Sequence, residues 1–365
     1  MFSHNGKIST RQVMILLVLQ MFNTNILLLP KISTYYVGRN GYILPLVAIV
    51  LGIFYVYCIT CLTMKFPNMT LVELTKSILP DGVAYILLVL FAIKLLVGTG
   101  LELRMFGEMI SQVMLPKTPI IVIMGIMLLT TSYLVKSGVE ATARMGEVLV
   151  YFIFVPLIIV FIMIAFKADY RELMPLFQTN LQNVGMGALT ISFSFIPLEF
   201  LLMMTGLMEK PNRVRKVGIT AIIIAGILES IIILLTIAEI GLGETQRQIW
   251  PVIALMQSIG LTNSVLENQE VLMMVGWVLS IFIYLSSGLY FAALIGSRSC
   301  QFKRENVFVL PLVPIILMIA IWPRSLVQAY NWYLSFQYYF GIWFLIPIPL
   351  VLLLIAKIRR LGHEK

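Results

Sequence analysis

Apolar residues run through this chain in long blocks separated by short polar connections, and the lengths of those blocks carry the first inference. A helix needs ~20 apolar residues to cross the hydrocarbon layer of a bilayer. Ten blocks predict membrane helices, at about 11–37, 41–64, 83–115, 118–136, 145–167, 185–208, 214–240, 268–296, 306–323 and 336–356. Two of them are interrupted in the same way. Phe22-Asn23-Thr24-Asn25-Ile26-Leu27-Leu28-Leu29-Pro30 and Ser192-Phe193-Ser194-Phe195-Ile196-Pro197-Leu198-Glu199 each set small polar residues a few positions before a proline. Proline removes an amide donor and clashes with the preceding turn, and Asn, Thr and Ser compete for backbone bonds. In lipid such a disruption persists only where it lines a protein cavity. Matching breaks in two halves of a chain are a pointer to a transporter-type binding site.

Division near residue 175 leaves five predicted helices on each side, with the break in the first helix of each half. Five is odd, so the second half enters the membrane from the opposite side. The fold class expected is an all-α integral membrane protein, ten helices as a 5+5 inverted repeat with broken first and sixth helices. Repeat one covers about 8–167, a connecting segment 168–184 and repeat two 185–358, all within a single transmembrane domain, and 359–365 form a cytoplasmic tail. No sequence identity relates the halves; the repeat is one of topology. The third block is long enough to be strongly tilted or to extend past the membrane. The connection 241–267 holds Trp250-Pro251 and an apolar stretch, Val252 to Ile259, too short to span, which predicts a short helix folded over the outer face.

Composition agrees: 60% of the 365 residues are hydrophobic and 12% charged. Basic residues concentrate in the connections that share a side with the termini, notably Lys210, Arg213, Arg215, Lys216, Lys357, Arg359 and Arg360. The positive-inside rule therefore places both termini in the cytoplasm. The net charge of +9 follows from that bias and from anionic inner-leaflet lipid, with no call for nucleic acid. The N-terminal block is too long for a cleavable signal and lacks a small-residue cleavage site. Cys58, Cys61 and Cys300 cannot form a paired framework, and the Cys58–Cys61 spacing in an apolar helix with no nearby histidine reads as packing. His4 and His363 lie in the tails, so no Ser-His-Asp set or histidine metal site is available, and there is no phosphate loop. Neither an enzyme, a metal nor a cofactor is expected.

Asn23, Thr24, Asn25 and the Ile26 backbone form the first candidate ligand site, since half-helix ends attract the charges of a small zwitterion such as an amino acid. The alternative is hydrogen bonding to a neighbouring helix around a proline kink. Ser192, Phe193, Ser194 and Phe195 are the matching surface, the serines opening backbone space and the rings closing over a ligand. Gly98 in the third helix and Tyr284 in the eighth complete the ligand set. Ionisable groups within membrane helices are functional candidates by default. Lys94, Glu102, Glu199 and Glu229 are therefore coupling or switch candidates, with structural ion pairing as the alternative, and Lys94 is expected to meet Glu199 or Glu229. Ser286 and Ser287 either ligate a small hard cation or let helices approach closely. Arg104 and Glu108, spaced i, i+4, read as a structural pair. The aromatic stretch Tyr330 to Phe344 reads as an interfacial belt.

These residues carry a resemblance. Asn23 to Pro30 resembles the first-helix break of the amino acid–polyamine–organocation transporters, where a Gly-Ser/Ala-Gly-Ile run precedes Leu-Pro. Phe193 to Glu199 is similar to that superfamily's sixth-helix Phe-Ala-Tyr/Phe-x-Gly-Phe-Glu/Asp run, and Glu209-Lys210-Pro211-Asn212-Arg213 to the basic loop after it. Asparagines stand in place of both glycines of the first motif, and Pro197 in place of a glycine of the second. Within the superfamily the chain resembles the endospore germination permeases, the B subunits of nutrient germinant receptors. Lys7 to Gln12 resembles their entry to the first helix, Phe66 to Glu73 their loop after the second, and Leu101 to Pro119 the end of their third. The resemblance spans the whole chain. It implies a five-plus-five inverted bundle in the spore inner membrane and recognition of a small nutrient, an amino acid. It also implies partnership with a second membrane subunit and a lipid-anchored one. A ligand sensor, a proton- or cation-coupled amino acid transporter and a component of an ion-release channel would all use the same site.

Overall fold

A computed structural model describes residues 6–23, 26–175, 179–258, 269–302, 304 and 306–362, with residues 269 and 270 by backbone only. Among these the chain is helical, with no strand and one isolated backbone bridge between Ile8 and Met208. Helices satisfy their own backbone groups, which is what an apolar surrounding demands.

The first segment is divided into α1 (Thr10–Asn23) and α2 (Leu29–Val37). Then follow α3 (Ile43–Thr63), the short α4 (Leu71–Ile78), α5 (Asp81–Val113), α6 (Ile120–Lys136) and α7 (Val139–Lys167). The second half opens with α8 (Leu181–Ile191), a 3-10 segment (Ser192–Phe200) and α9 (Leu201–Leu207), which form one continuous rod. After it come α10 (Val214–Arg247), α11 (Pro251–Gln257), α12 (Gln269–Ser299) and α13 (Val309–Ile321). The last rod joins α14 (Leu326–Phe336), a π-helical turn (Gln337–Gly341), α15 (Ile342–Leu345) and α16 (Pro347–Ile358).

Seven of these rods are long and apolar enough to cross a membrane: 43–63, 81–113, 139–167, 181–207, 211–247, 271–299 and 326–358. By length and composition α6 and α13 fall short of that, and the divided first segment holds helices of 14 and 9 residues. One boundary corrects the expectation, and one meets it. The last rod begins at Leu326, ten residues before the apolar block, because Ser325 caps it by accepting from the Gln328 amide at 3.3 Å. In α10 the helix runs to Ile240 and is interrupted at Gly241, whose φ of 76° only glycine adopts easily. The short helix expected after Trp250 is α11.

The core is a bundle around the divided first segment and the 3-10 rod. α1 packs on α7, α10, α12 and the 3-10 segment; α2 packs on α8 and α10. The rod α8 to α9 lies against α3, and α5 lies against α12, α13 and α14. On the face that carries the N-terminus the connections are tied together. The Ile8 amide donates to Leu207 O (2.8 Å) and the Glu209 amide to Ile8 O (3.0 Å). Gly6 N donates to Glu140 (2.7 Å), and Arg359 to Ile78 O (2.9 Å).

Candidate functional site

The first break interrupts the segment: α1 is described to Asn23, residues 26–28 form a turn, and α2 begins at Leu29. Pro30 sits in the first turn of α2, where its missing amide would have had no helical partner. Thr24 and Asn25, two of the predicted ligand residues, lie outside the described residues. Ile26 is fully buried. Asn23 is 1% exposed, and both atoms of its side-chain amide lack a protein partner. Its carbonyl accepts from the Trp277 indole of α12 at 3.4 Å. A small cavity of about 20 Å³ lies here, lined by Asn23, Leu27, Leu28, Glu102, Met105, Trp250 and Trp277.

The second break is a tightening, which corrects the expectation of an unwound sixth helix. Pro197 has no amide to give and would strike the carbonyl four residues back in an α-helix. Over Ser192–Phe200 the chain takes 3-10 geometry instead. Runs of that geometry beyond three or four residues are uncommon, and residues three apart eclipse. Ser192 and Phe195 therefore share a face, turned to α3. The Ser192 hydroxyl lies 2.9 Å from that of Tyr55, and a methyl at Gly52 would lie 2.9 Å from the Phe195 ring. That ring fills the space between Gly52 of α3 and Gly226 of α10, so Phe195 is a packing residue and not a ring closing over the first break. Phe193, Ile196 and Glu199 stack on another face. Phe193 meets the Tyr338 ring edge-on at 6.0 Å, and the Glu199 carboxylate accepts from Lys94 of α5. Both members of that ion pair are almost wholly buried. Ser194 is buried and faces the buried Glu229 carboxyl of α10.

Between the breaks, α5, α12 and α14 close a polar interior. Glu102 is 2% exposed and faces Asn23 and the Tyr333 hydroxyl; Tyr333 in turn faces Tyr284 and Gln337. Gly98 leaves room beside them, since a methyl there would stand 3.4 Å from the Tyr284 hydroxyl and 3.7 Å from the Gln337 amide nitrogen. Tyr333 and Gln337 are fully buried and depart from the belt expected over 330–344, whereas Tyr338, Tyr339 and Trp343 of the same stretch are exposed. Ser286 and Ser287 turn inward on their own helix, donating to Phe282 O (2.6 Å) and Ile283 O (3.0 Å), and Ser287 also accepts from Gln20 (2.6 Å). Their protons are committed to their own helix, and the Ser287 oxygen also to Gln20. Arg104 and Glu108 do pair, at 2.6 Å.

Four residues of this interior escaped the sequence: Trp250, Trp277, Tyr333 and Gln337. The signal available was a glutamine inside an aromatic run, and a tryptophan directly before the proline that opens α11.

A groove of about 690 Å³ opens on the face opposite the N-terminus, lined among others by Leu28, Lys31, Tyr36, Gln112, Arg324 and Tyr330. Leu28 also lines the small cavity, so the two adjoin. The N-terminal face, in contrast, is held by Arg298 of α12, which donates to Glu73 of α4 at 2.9 Å. Burial raises the Glu73 carboxyl, but Thr70 and Arg298 bonding outweighs it, so its pKa lies below the ordinary value.

Comparisons with known proteins agree in kind. A family described as spore germination protein matches residues 7–329. The chain is 24% identical to spore germination protein YndE of Bacillus subtilis (strain 168), over 100% of both chains. Spore germination protein KB of the same strain is 23% identical over 99% of this chain and 97% of its own. Spore germination protein A2, also of that strain, is 25% identical over 97% of each.

Proposed function

We propose a function from one premise: the chain belongs to the spore germination protein family. It is an integral membrane protein, and its role is that of a nutrient-sensing membrane subunit of a spore germinant receptor. The nutrient, an amino acid, binds near the bilayer midplane between the opening in the first segment, α5, the 3-10 segment and α12. Binding there signals by a transporter-like rearrangement to a second membrane subunit and a lipid-anchored one. The protein resides in the spore inner membrane with both termini in the cytoplasm.

The observation that carries this is a set of deeply buried polar groups beside the first break, Asn23, Glu102, Tyr333 and Gln337, which face one another and still leave side-chain atoms over. Ser194 and Glu229 form a second such pair between the 3-10 segment and α10. Buried polar atoms are normally paired, so bonding capacity left over in the interior is a place for a ligand or ordered water. The adjoining groove gives an approach from the face opposite the N-terminus, and on the N-terminal face the connections are tied together.

A transporter-like 5+5 inverted repeat is supported by the packing. Exchange of each element for its counterpart in the other half turns α1 on α7 into the 3-10 segment on α15, and α7 on α12 into α14 on α5. The same exchange turns α6 on α12 into α13 on α5, and α4 on α9 into α11 on α2; each of these contacts exists.

The test is uptake and binding of labelled amino acids with the purified chain in proteoliposomes, with and without a proton gradient. Saturable binding without accumulation is expected. Accumulation that follows the gradient would overturn the sensor in favour of a coupled transporter.

A further inference from the structure

Two glutamates stand on or near the central breaks with opposite fates. Glu199 is answered by Lys94. Glu102 is as deeply buried, has no ion-pair partner among the described residues, and lines a cavity. A carboxylate removed from water is costly unless a counter-charge and hydrogen bonds compensate it.

The rest of the cavity wall says which counter-charge fits. Asn23 and the Tyr333 hydroxyl face the Glu102 carboxyl with side-chain atoms of Asn23 and Glu102 left over, and the Trp250 and Trp277 indoles line the same space as Asn23 and Glu102. About 20 Å³ admits one water-sized group. A hard metal ion would need six or more oxygen ligands, which this wall lacks. A primary ammonium needs fewer acceptors and is attracted to indole faces. We infer that this cavity seats the ammonium group of the ligand, with Glu102 as its counter-ion and Trp250 covering it. The rest of the ligand passes Leu28 toward the groove. Trp250 directly precedes α11, which packs on α2, α10 and α12. An occupied cavity thus joins the covering helix to the opening in the first segment. The inference rests on the ligand-binding role proposed above and adds its charge requirement and the residue that meets it.

The experiment uses the full chain in nanodiscs and equilibrium dialysis of common L-amino acids, each beside the 2-hydroxy acid of the same skeleton, with methylammonium as competitor. At least one amino acid should bind saturably, its hydroxy acid ~100-fold more weakly, and methylammonium should displace it. Glu102→Gln should weaken the amino acid by ~100-fold, as expected for loss of a buried charge partner, and Glu102→Asp by less. Should the glutamine variant fail to fold, the amino acid against hydroxy acid comparison on the native chain decides alone. Equal binding of a hydroxy acid, or undiminished binding by folded Glu102→Gln, overturns the ammonium site and leaves the sensor standing. No saturable binding of any compound overturns both.

Discussion

The ion pair between Lys94 and Glu199 should be a two-body support whose members are harmful alone. Their side chains are 1% and 2% exposed, so neither can recruit water when the other is removed. Breaking a buried pair by deleting one partner costs ~3–5 kcal/mol, whereas replacing both with apolar groups of similar volume is often neutral. Lys94→Met and Glu199→Leu should therefore each lose ~3–5 kcal/mol, a factor of ~100 to 3,000 in the folding constant at 1.4 kcal/mol per decade. The double variant should recover most of that loss, to within ~1 kcal/mol of the native chain, so the coupling energy should be at least ~5 kcal/mol, above the ~0.5–3 kcal/mol usual for residues in contact. Denaturant unfolding in bicelles, followed by tryptophan fluorescence, supplies all four corners of the cycle. Single losses near 1 kcal/mol would be those of an ordinary neutral hydrogen bond and would refute the charged pair. So would a coupling energy indistinguishable from zero.

Three further outcomes follow from named contacts. Because Glu73 has a lowered pKa in the folded chain, it contributes stability that is present above the unfolded value and lost as pH falls through the folded one. Glu73→Gln should flatten the acid limb of a stability profile, and an unchanged limb would contradict the Thr70 and Arg298 bonding. Gly206→Ala places a methyl 2.5 Å from the Met69 carbonyl carbon and 2.7 Å from its oxygen, both backbone. It should destabilise by ~1–3 kcal/mol through overpacking, and a fully stable variant would show that α9 and the 69–70 loop are not in contact. Gly98→Leu extends side chain toward Tyr284 and Gln337, so it should fold yet weaken amino acid binding at least tenfold; unaltered affinity would move the ligand away from α5.

Much of the site was legible because lipid makes polar interruptions conspicuous. Asn23 and Pro30 announced the opening between α1 and α2, and Ser192, Ser194 and Pro197 announced an irregular sixth rod. The kind of irregularity was not legible. Proline excludes regular α-helix but does not choose between opening and tightening, and the choice decides faces. Eclipsed 3-10 spacing sends Phe195 with Ser192 toward α3, so a ring that reads as a gate becomes filling against Gly52. The start of the last rod was hidden for the opposite reason. Gln328, Asn331, Ser335 and Gln337 dilute its apolarity, and only tertiary contact separates a buried Tyr333 from an interfacial tyrosine. Trp250 lay in a connection, where composition gives no reason to look inward.

One departure from the proposed symmetry bears on the proposed switch. α1 packs on α12, and its counterpart under exchange of the halves would be the 3-10 segment on α5. Those two backbones share little contact and are bridged instead by Lys94 and Glu199. Two turns further along α5, Glu102 faces the opening in the first segment. A single long helix therefore carries a satisfied carboxylate contact to one break and an unsatisfied carboxylate toward the other. A ligand changes such a system only through its different affinity for two arrangements. Supplying a positive group to Glu102 adds the missing contact at the first break while Lys94 keeps α5 anchored to the second. If that is the coupling, a ligand that binds the native chain should bind Lys94→Met/Glu199→Leu with similar affinity. It should fail, however, to change the accessibility of cysteines introduced along α9, because the anchor that transmits the change has been removed. Native-like accessibility changes in the double variant would mean that the signal leaves by another helix, with α12 the first to test, since it packs on both α1 and α5.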